Sequence, residues 1–220
     1  MSNRLQSYRH LTTALISSIT PASASDRTES LASTDAQIKS TLLTLYTLFP
    51  NELLPALDLL DCGLVTRLKS VKEDSATASS NPDSVDPSAW LEHSVYYVRS
   101  AQPPSTRPRS KHRTLQSPTY YEVHLNSWSC SCPAFAFSAF PATAPASDSS
   151  DLFSAKDVER TVAKYGWVFG GLGRGVKAPV CKHLLACVLA EKCGGFARGM
   201  VEEREVAREE MAGGAAGWGD

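Results

Sequence analysis

Cys130-Ser131-Cys132-Pro133-Ala134-Phe135-Ala136-Phe137-Ser138 and Cys181-Lys182-His183-Leu184-Leu185-Ala186 carry most of the information in this 220-residue chain. Each opens with two metal-ligating residue types at i and i+2. The run before the first, Thr119–Ser129, alternates Tyr121, Val123 and Leu125 with polar residues and reads as a strand. Along a strand, i and i+2 face the same side, so the sulfurs of Cys130 and Cys132 are expected to converge. The second stretch opens a helix over Lys182–Lys192, with Leu184, Leu185, Val188 and Leu189 on its apolar side. Before a helix settles into helical dihedrals, Cys181 and His183 can converge as well. Two such pairs supply three thiolates and an imidazole, the ligand set of a closed tetrahedral Zn2+ site, and soft donors favour zinc over magnesium or calcium.

The intervening segment 133–180 does not argue against this site. Closing a loop of about 48 residues costs about 3 to 4 kcal/mol. A structural zinc site contributes roughly 10–16 kcal/mol of apparent binding energy. With three thiolates the site would carry a net negative charge, and Lys182 and the helix N-terminus are placed to offset it.

The remaining cysteines are Cys62, Cys187 and Cys193. No export signal is visible and no apolar run approaches the ~20 residues needed to span a membrane. Reduced, clustered thiols therefore suggest metal or catalysis before disulfides, and no membrane partner is expected. Cys187 lies four residues after His183 and is read as core, with metal contact as the alternative. Cys62 and Cys193 are read as plain or surface thiols. His124 takes an outward strand position, and His10, His93 and His112 have no suggestive partners. Of Phe135, Phe137 and Phe140, at least two are expected in the core; a partner-binding patch is the alternative. The glycine run Gly166–Gly175 lacks the Gly-Lys-Ser/Thr of a phosphate loop. No oxyanion elbow accompanies any cysteine–histidine pair, so no enzyme is expected.

Working outward, residues 3–19 read as an amphipathic helix with Leu5, Leu11, Leu15 and Ile16 as its apolar stripe. Residues 1–25 contain Arg4 and Arg9 and no acid, the composition of a mitochondrial presequence, which makes the mitochondrion the alternative location. Thr34 and Gln37 have capping-box spacing, and Ile38, Leu42, Leu45, Tyr46 and Phe49 fall on one helix face ending at Pro50. A short helix follows near Pro55–Asp61 with Gly63 at its exit. Residues 71–89 read as loop, and Ser94–Ser100 as a strand pairing antiparallel with the one before Cys130. Residues 200–211 are charged and expected to extend helically.

The expected fold is α+β: an N-terminal helical hairpin, a small antiparallel β-sheet of two or three strands, a zinc knuckle and a closing helix, with long disordered insertions. The expected organisation is a helical region 1–70, a loop-rich region 71–118 with one strand, a zinc finger 119–192 containing an inserted low-complexity segment 141–178, and a charged helix and disordered tail 193–220. Net charge is −1, which argues against coating nucleic acid by bulk charge. Local charge exists in the loop 101–118, where Arg107, Arg109, Lys111 and Arg113 read first as a solvated loop or nuclear import signal, and second as contacts to single-stranded DNA phosphate.

Cys130-x-Cys132 followed by Cys181-x-His183 resembles the SWIM zinc finger, whose pattern is Cys-x-Cys, a variable gap and Cys-x-His. The two longer words quoted above, with Ala56-Leu-Asp-Leu-Leu-Asp61, are similar to SWIM-domain subunits of Shu-type complexes over about 36–70, 94–100, 119–140 and 179–192. The resemblance implies a nuclear role in homologous recombination. Such subunits pair with paralogues of a RecA-like recombinase and promote its filament on single-stranded DNA. It carries over Cys130, Cys132, Cys181 and His183 as metal ligands, and Phe135 and Phe137 as packing or partner contacts. The long gap between ligand pairs and the basic loop depart from that pattern. A SWIM finger binding DNA or protein outside recombination is the alternative.

Overall fold

The computed structural model describes residues 8–19, 31–70, 94–101, 119–140, 155–171, 178–193, 197, 199–207 and 209–211. The expected loop 71–89, the basic cluster at 107–113, most of the glycine run and the terminal tail lie outside the described residues.

Helix α1 is Tyr8–Ser17, α2 is Leu31–Leu48 and α3 is Leu53–Asp61. Helix α2 begins three residues before the Thr34 cap the sequence suggests and stops before Pro50, as a proline requires. Helix α3 ends in a Schellman turn: Gly63 N–H bonds to Leu60 O and Leu64 N–H to Leu59 O, both at 3.0 Å. Gly63 takes φ +60°, where a side chain would be strained.

The chain then enters β1 (Val65–Ser70), followed by β2 (Ser94–Arg99), β3 (Tyr120–His124) and β4 (Ser129–Cys130). Helices α4 (Pro133–Ala139), α5 (Ala155–Tyr165) and α6 (Lys182–Lys192) precede β5 (Val201–Val206). The fold is α+β, and its sheet has five strands in the order β4-β3-β2-β1-β5. The expected pairing of β2 with β3 is present and antiparallel. The sheet is nevertheless larger than expected and mixed, because β5 pairs parallel with β1. Of the stretch 200–211 expected to extend helically, residues 209–211 are helical, while Val201–Val206 is thus a strand. Its pairing with β1 is reinforced by Lys69 on Glu203 at 2.8 Å and Thr66 on Glu202 at 3.4 Å.

Register aligns the covered face. Cys130, Val123, Tyr96, Arg67 and Glu203 are successive partners across the sheet, and Tyr121, Val98, Val65 and Val201 form the neighbouring row. Helix α6 lies on this face, with α3 and α1 packed against α6. Leu184, Leu185, Val188 and Leu189 are buried there with Leu59, Leu60, Val65, Val98 and Val123.

Helix α1 buries an unexpected face. Arg9, Thr12, Thr13 and Ile16 point inward, while Leu11 is exposed. The reason is a set of polar partners supplied from far along the chain. Arg9 Nε donates to Phe169 O at 2.7 Å, and another of its nitrogens donates to Gly171 O. Phe169 N–H donates to Thr13 Oγ1 at 2.9 Å, and Trp167 Nε1 to Ser17 Oγ at 3.1 Å. Residues 155–171, within the segment 141–178 expected as an insertion, therefore do contribute to the core: α5 packs on α1, and Phe169 is fully buried. Glycine-rich surroundings concealed one core phenylalanine. No helix among the described residues is long and apolar enough to cross a membrane.

Candidate metal centre

The four candidate ligands meet. One ligand atom from each of Cys130, Cys132, Cys181 and His183 lies within 4.8 Å of every other. Relative exposures are 7 %, 2 %, 2 % and 4 %, so the cluster is closed to solvent. Cys130 Sγ lies 3.8 Å from His183 Nδ1.

The way they meet differs from the strand geometry the spacing suggests. Cys130 closes β4 opposite Val123, but Cys132 has left the sheet and serves as N-cap of α4. Its sulfur accepts Phe135 N–H at 3.3 Å, and Pro133 fills the first helical position. Cys181 is the N-cap of α6, its sulfur accepting Leu184 N–H at 3.5 Å. Two of the three sulfurs thus face the positive end of a helix, where negative charge is favoured. Convergence comes from a strand end and two helix starts.

The electrostatics of the trio call for a cation. Hydrogen bonds from Cys130 and Cys181, with further help from His183 and Phe135 N–H, hold Cys132 far below the usual thiol range against its burial. Bonds to Cys132 and Cys181, together with burial, push Cys130 far up. Cys130 draws Cys181 down, but its bond to Cys132 and burial prevail and push it up to about 12. Three adjacent sulfurs cannot all ionise in a closed site unless a positive charge joins them. His183 presents Nδ1 to Cys130 Sγ, while its Nε2 is buried without a hydrogen-bond partner among the described residues and is not the atom turned to Cys130. The ring is held by Tyr121, whose centroid is 4.5 Å away at 30°. These residues fit a metal ion.

Cys187 is fully buried in α6, and burial pushes its thiol well up, in keeping with a core role. Cys62 is exposed. Cys193 is not a surface thiol: it is fully buried and donates to Ile16 O at 3.6 Å. Only Phe135 of the three phenylalanines is in the core; Phe137 and Phe140 are 79 % and 80 % exposed. Helix α4 turns one face to the metal ligands and the other outward, so i, i+2 phenylalanines cannot share the buried side. His10 has a partner after all, Thr161 Oγ1 at 3.0 Å.

Nothing in the sequence pattern singles out Trp128. It ends the turn between β3 and β4 at φ +51°, among the described residues the one non-glycine with positive φ. A side chain there costs about 1–2 kcal/mol. Its Nε1–H donates to Pro179 O at 2.7 Å, and its ring stands edge-on to Phe169 at 4.6 Å. No protein-family model matches the chain, and no curated protein matches it.

Proposed function

We propose that this chain is a zinc-stabilised, non-enzymatic adaptor subunit in homologous-recombination DNA repair, acting in the nucleus through a RecA-like recombinase paralogue. The observation that carries the reading is the closed burial of a three-cysteine, one-histidine donor set. Such sets suit zinc, and a closed tetrahedron leaves no position for a reacting water, so the ion's contribution would be structural. Two ligands on one zinc lie roughly 3.5 Å apart, close to the 3.8 Å between Cys130 Sγ and His183 Nδ1. Cys130 would hold the ion from the end of β4, Cys132 from the start of α4, and Cys181 and His183 from the start of α6. Joining four side chains from distant segments, it would fix α4 to the sheet and α6.

The repair assignment rests on the SWIM-type words and on what α4 displays. Phe137 and Phe140 are large, apolar and open to solvent on a helix capped by a metal ligand. Exposed aromatics on a rigid element suit the buried centre of a protein interface.

Native purification followed by metal assay and identification of bound proteins tests this. The expected result is one zinc per chain and a RecA-like paralogue as companion. Phe137→Ser should retain zinc and stability and reduce paralogue capture at least tenfold. A zinc-loaded protein with no RecA-like companion would favour the SWIM module outside recombination. A folded protein without metal would remove the whole reading.

A further inference from the structure

We propose that Trp128 is a positioning residue for the metal centre, a clasp that fixes the distance between the two ligand pairs and sets how fast the ion leaves. The inference rests on the zinc reading and adds a residue to it.

Trp128 stands two residues before Cys130, and its indole bonds to the carbonyl of Pro179, two residues before Cys181. One side chain therefore bridges the chain leading into each ligand pair. The bond is 2.7 Å long and joins a buried indole to the half-buried Pro179.

The backbone shows that this placement is specified. The turn Leu125–Trp128 closes with Trp128 N–H on Leu125 O at 3.2 Å, and its last residue is left-handed. Glycine or asparagine suits that conformation, and a bulky aromatic residue is strained in it. A residue that breaks the local rule persists when its side chain gains elsewhere. Here the gains are the Pro179 bond and the edge contact with Phe169.

The clasp is itself backed. Gly171 presses on the same turn: a Cβ there would lie 2.9 Å from Asn126 O and 3.2 Å from Trp128 Cβ. A Cβ on Gly170 would lie 2.7 Å from Ala178 Cβ and 2.8 Å from Arg9 Nε. Arg9 holds that loop by the carbonyls of Phe169 and Gly171. Helix α1 thus braces, through Arg9, the glycine loop that packs against Trp128 and the β3–β4 turn. Groups that orient metal ligands typically change affinity by 10–100-fold when removed.

The test loads the full chain with cobalt(II) and follows its ligand-field absorption during transfer to excess EDTA. Wild type is compared with Trp128→Phe, which keeps an aromatic ring and loses the N–H. A second variant carries the benzothiophene isostere of the Trp128 indole, which keeps size and shape and removes the donor alone, so it decides the matter if Trp128→Phe does not fold. The expected result is roughly tenfold faster cobalt release in both, with a shifted absorption band. Release at the wild-type rate with an unchanged band in the isostere overturns the proposal, even if unfolding stability falls, because Trp128 then only packs. A wild-type chain that takes up no cobalt would sink the zinc reading instead.

Discussion

Helix α6 has a cysteine at each end, and the two do opposite things. Cys181 at the N-cap accepts a backbone N–H and faces three other metal-ligating groups. Cys193 at the C-cap donates its thiol proton to Ile16 O. The helix explains much of the contrast. Its first turn offers unbonded N–H groups to a negative sulfur, whereas its last turn presents carbonyls that repel one. Cys187, midway, meets neither end and is a neutral core thiol. What a cysteine does on this helix is set by where it sits along the axis.

The largest test of that contrast pairs Cys181→Ala with Cys193→Ala. The first leaves two thiols and an imidazole around the ion and should cost on the order of 5 kcal/mol, enough to unfold a domain of ordinary stability. The second removes one buried sulfur and should cost about 1 kcal/mol. Urea unfolding in the presence of zinc measures both. EDTA should unfold wild type and Cys193→Ala alike. Equal losses in the two variants would mean that the ends of α6 do not differ as described.

A smaller effect is expected where the last turn of α6 meets the sheet. Glu191 accepts the Tyr96 hydroxyl and pairs with Arg67 at 3.3 Å, each side chain about one-fifth exposed. Burial acts to raise the Glu191 carboxyl, but Tyr96, Lys192 and Arg67 outweigh it and hold the group below its ordinary value. Glu191→Gln should cost about 2 kcal/mol, since it removes the charge on which the Tyr96 hydroxyl and Arg67 both act. Zinc content should not change. Loss of zinc in this variant would show that the two ends of the helix are one unit.

The same contrast explains what could be read from the chain and what could not. The four ligands were legible because residue type and i, i+2 spacing restrict them before any fold is known. Their mode of convergence was not, because a Cys-x-Cys step within a strand and one that leaves a strand for a helix look alike in sequence. Strand β5 was hidden for a different reason. Glu202-Glu203-Arg204-Glu205 favours helix locally, and all four residues are exposed, so no alternation marks a strand. Pairing with β1, distant in sequence, supplies what local propensity does not. The burial of Arg9 was hidden in the same way: its carbonyl partners lie some 160 positions away.

The smallest expected effect, counted per pH unit, is also specific to one end of α6. Burial pushes the Cys193 thiol up to about 12, whereas an unfolded cysteine ionises near 8.5. Below the unfolded value the folded and unfolded chains hold the same proton, and the contribution of Cys193 is complete. Between the two values the unfolded chain gives up its proton and the folded chain keeps it, so stability falls as pH rises, by at most about 1.4 kcal/mol per pH unit for this group. Tyr8, pushed up to about 12, Tyr96, and Cys187 add to the alkaline slope in every variant. Subtracting the Cys193→Ala curve from wild type isolates one thiol. Unfolding free energies across about pH 8 to 11, where zinc thiolates stay deprotonated and bound, should converge as pH rises and then cross. Parallel curves would mean that Cys193 ionises in the fold as freely as outside it, and the neutral C-cap would lose its basis.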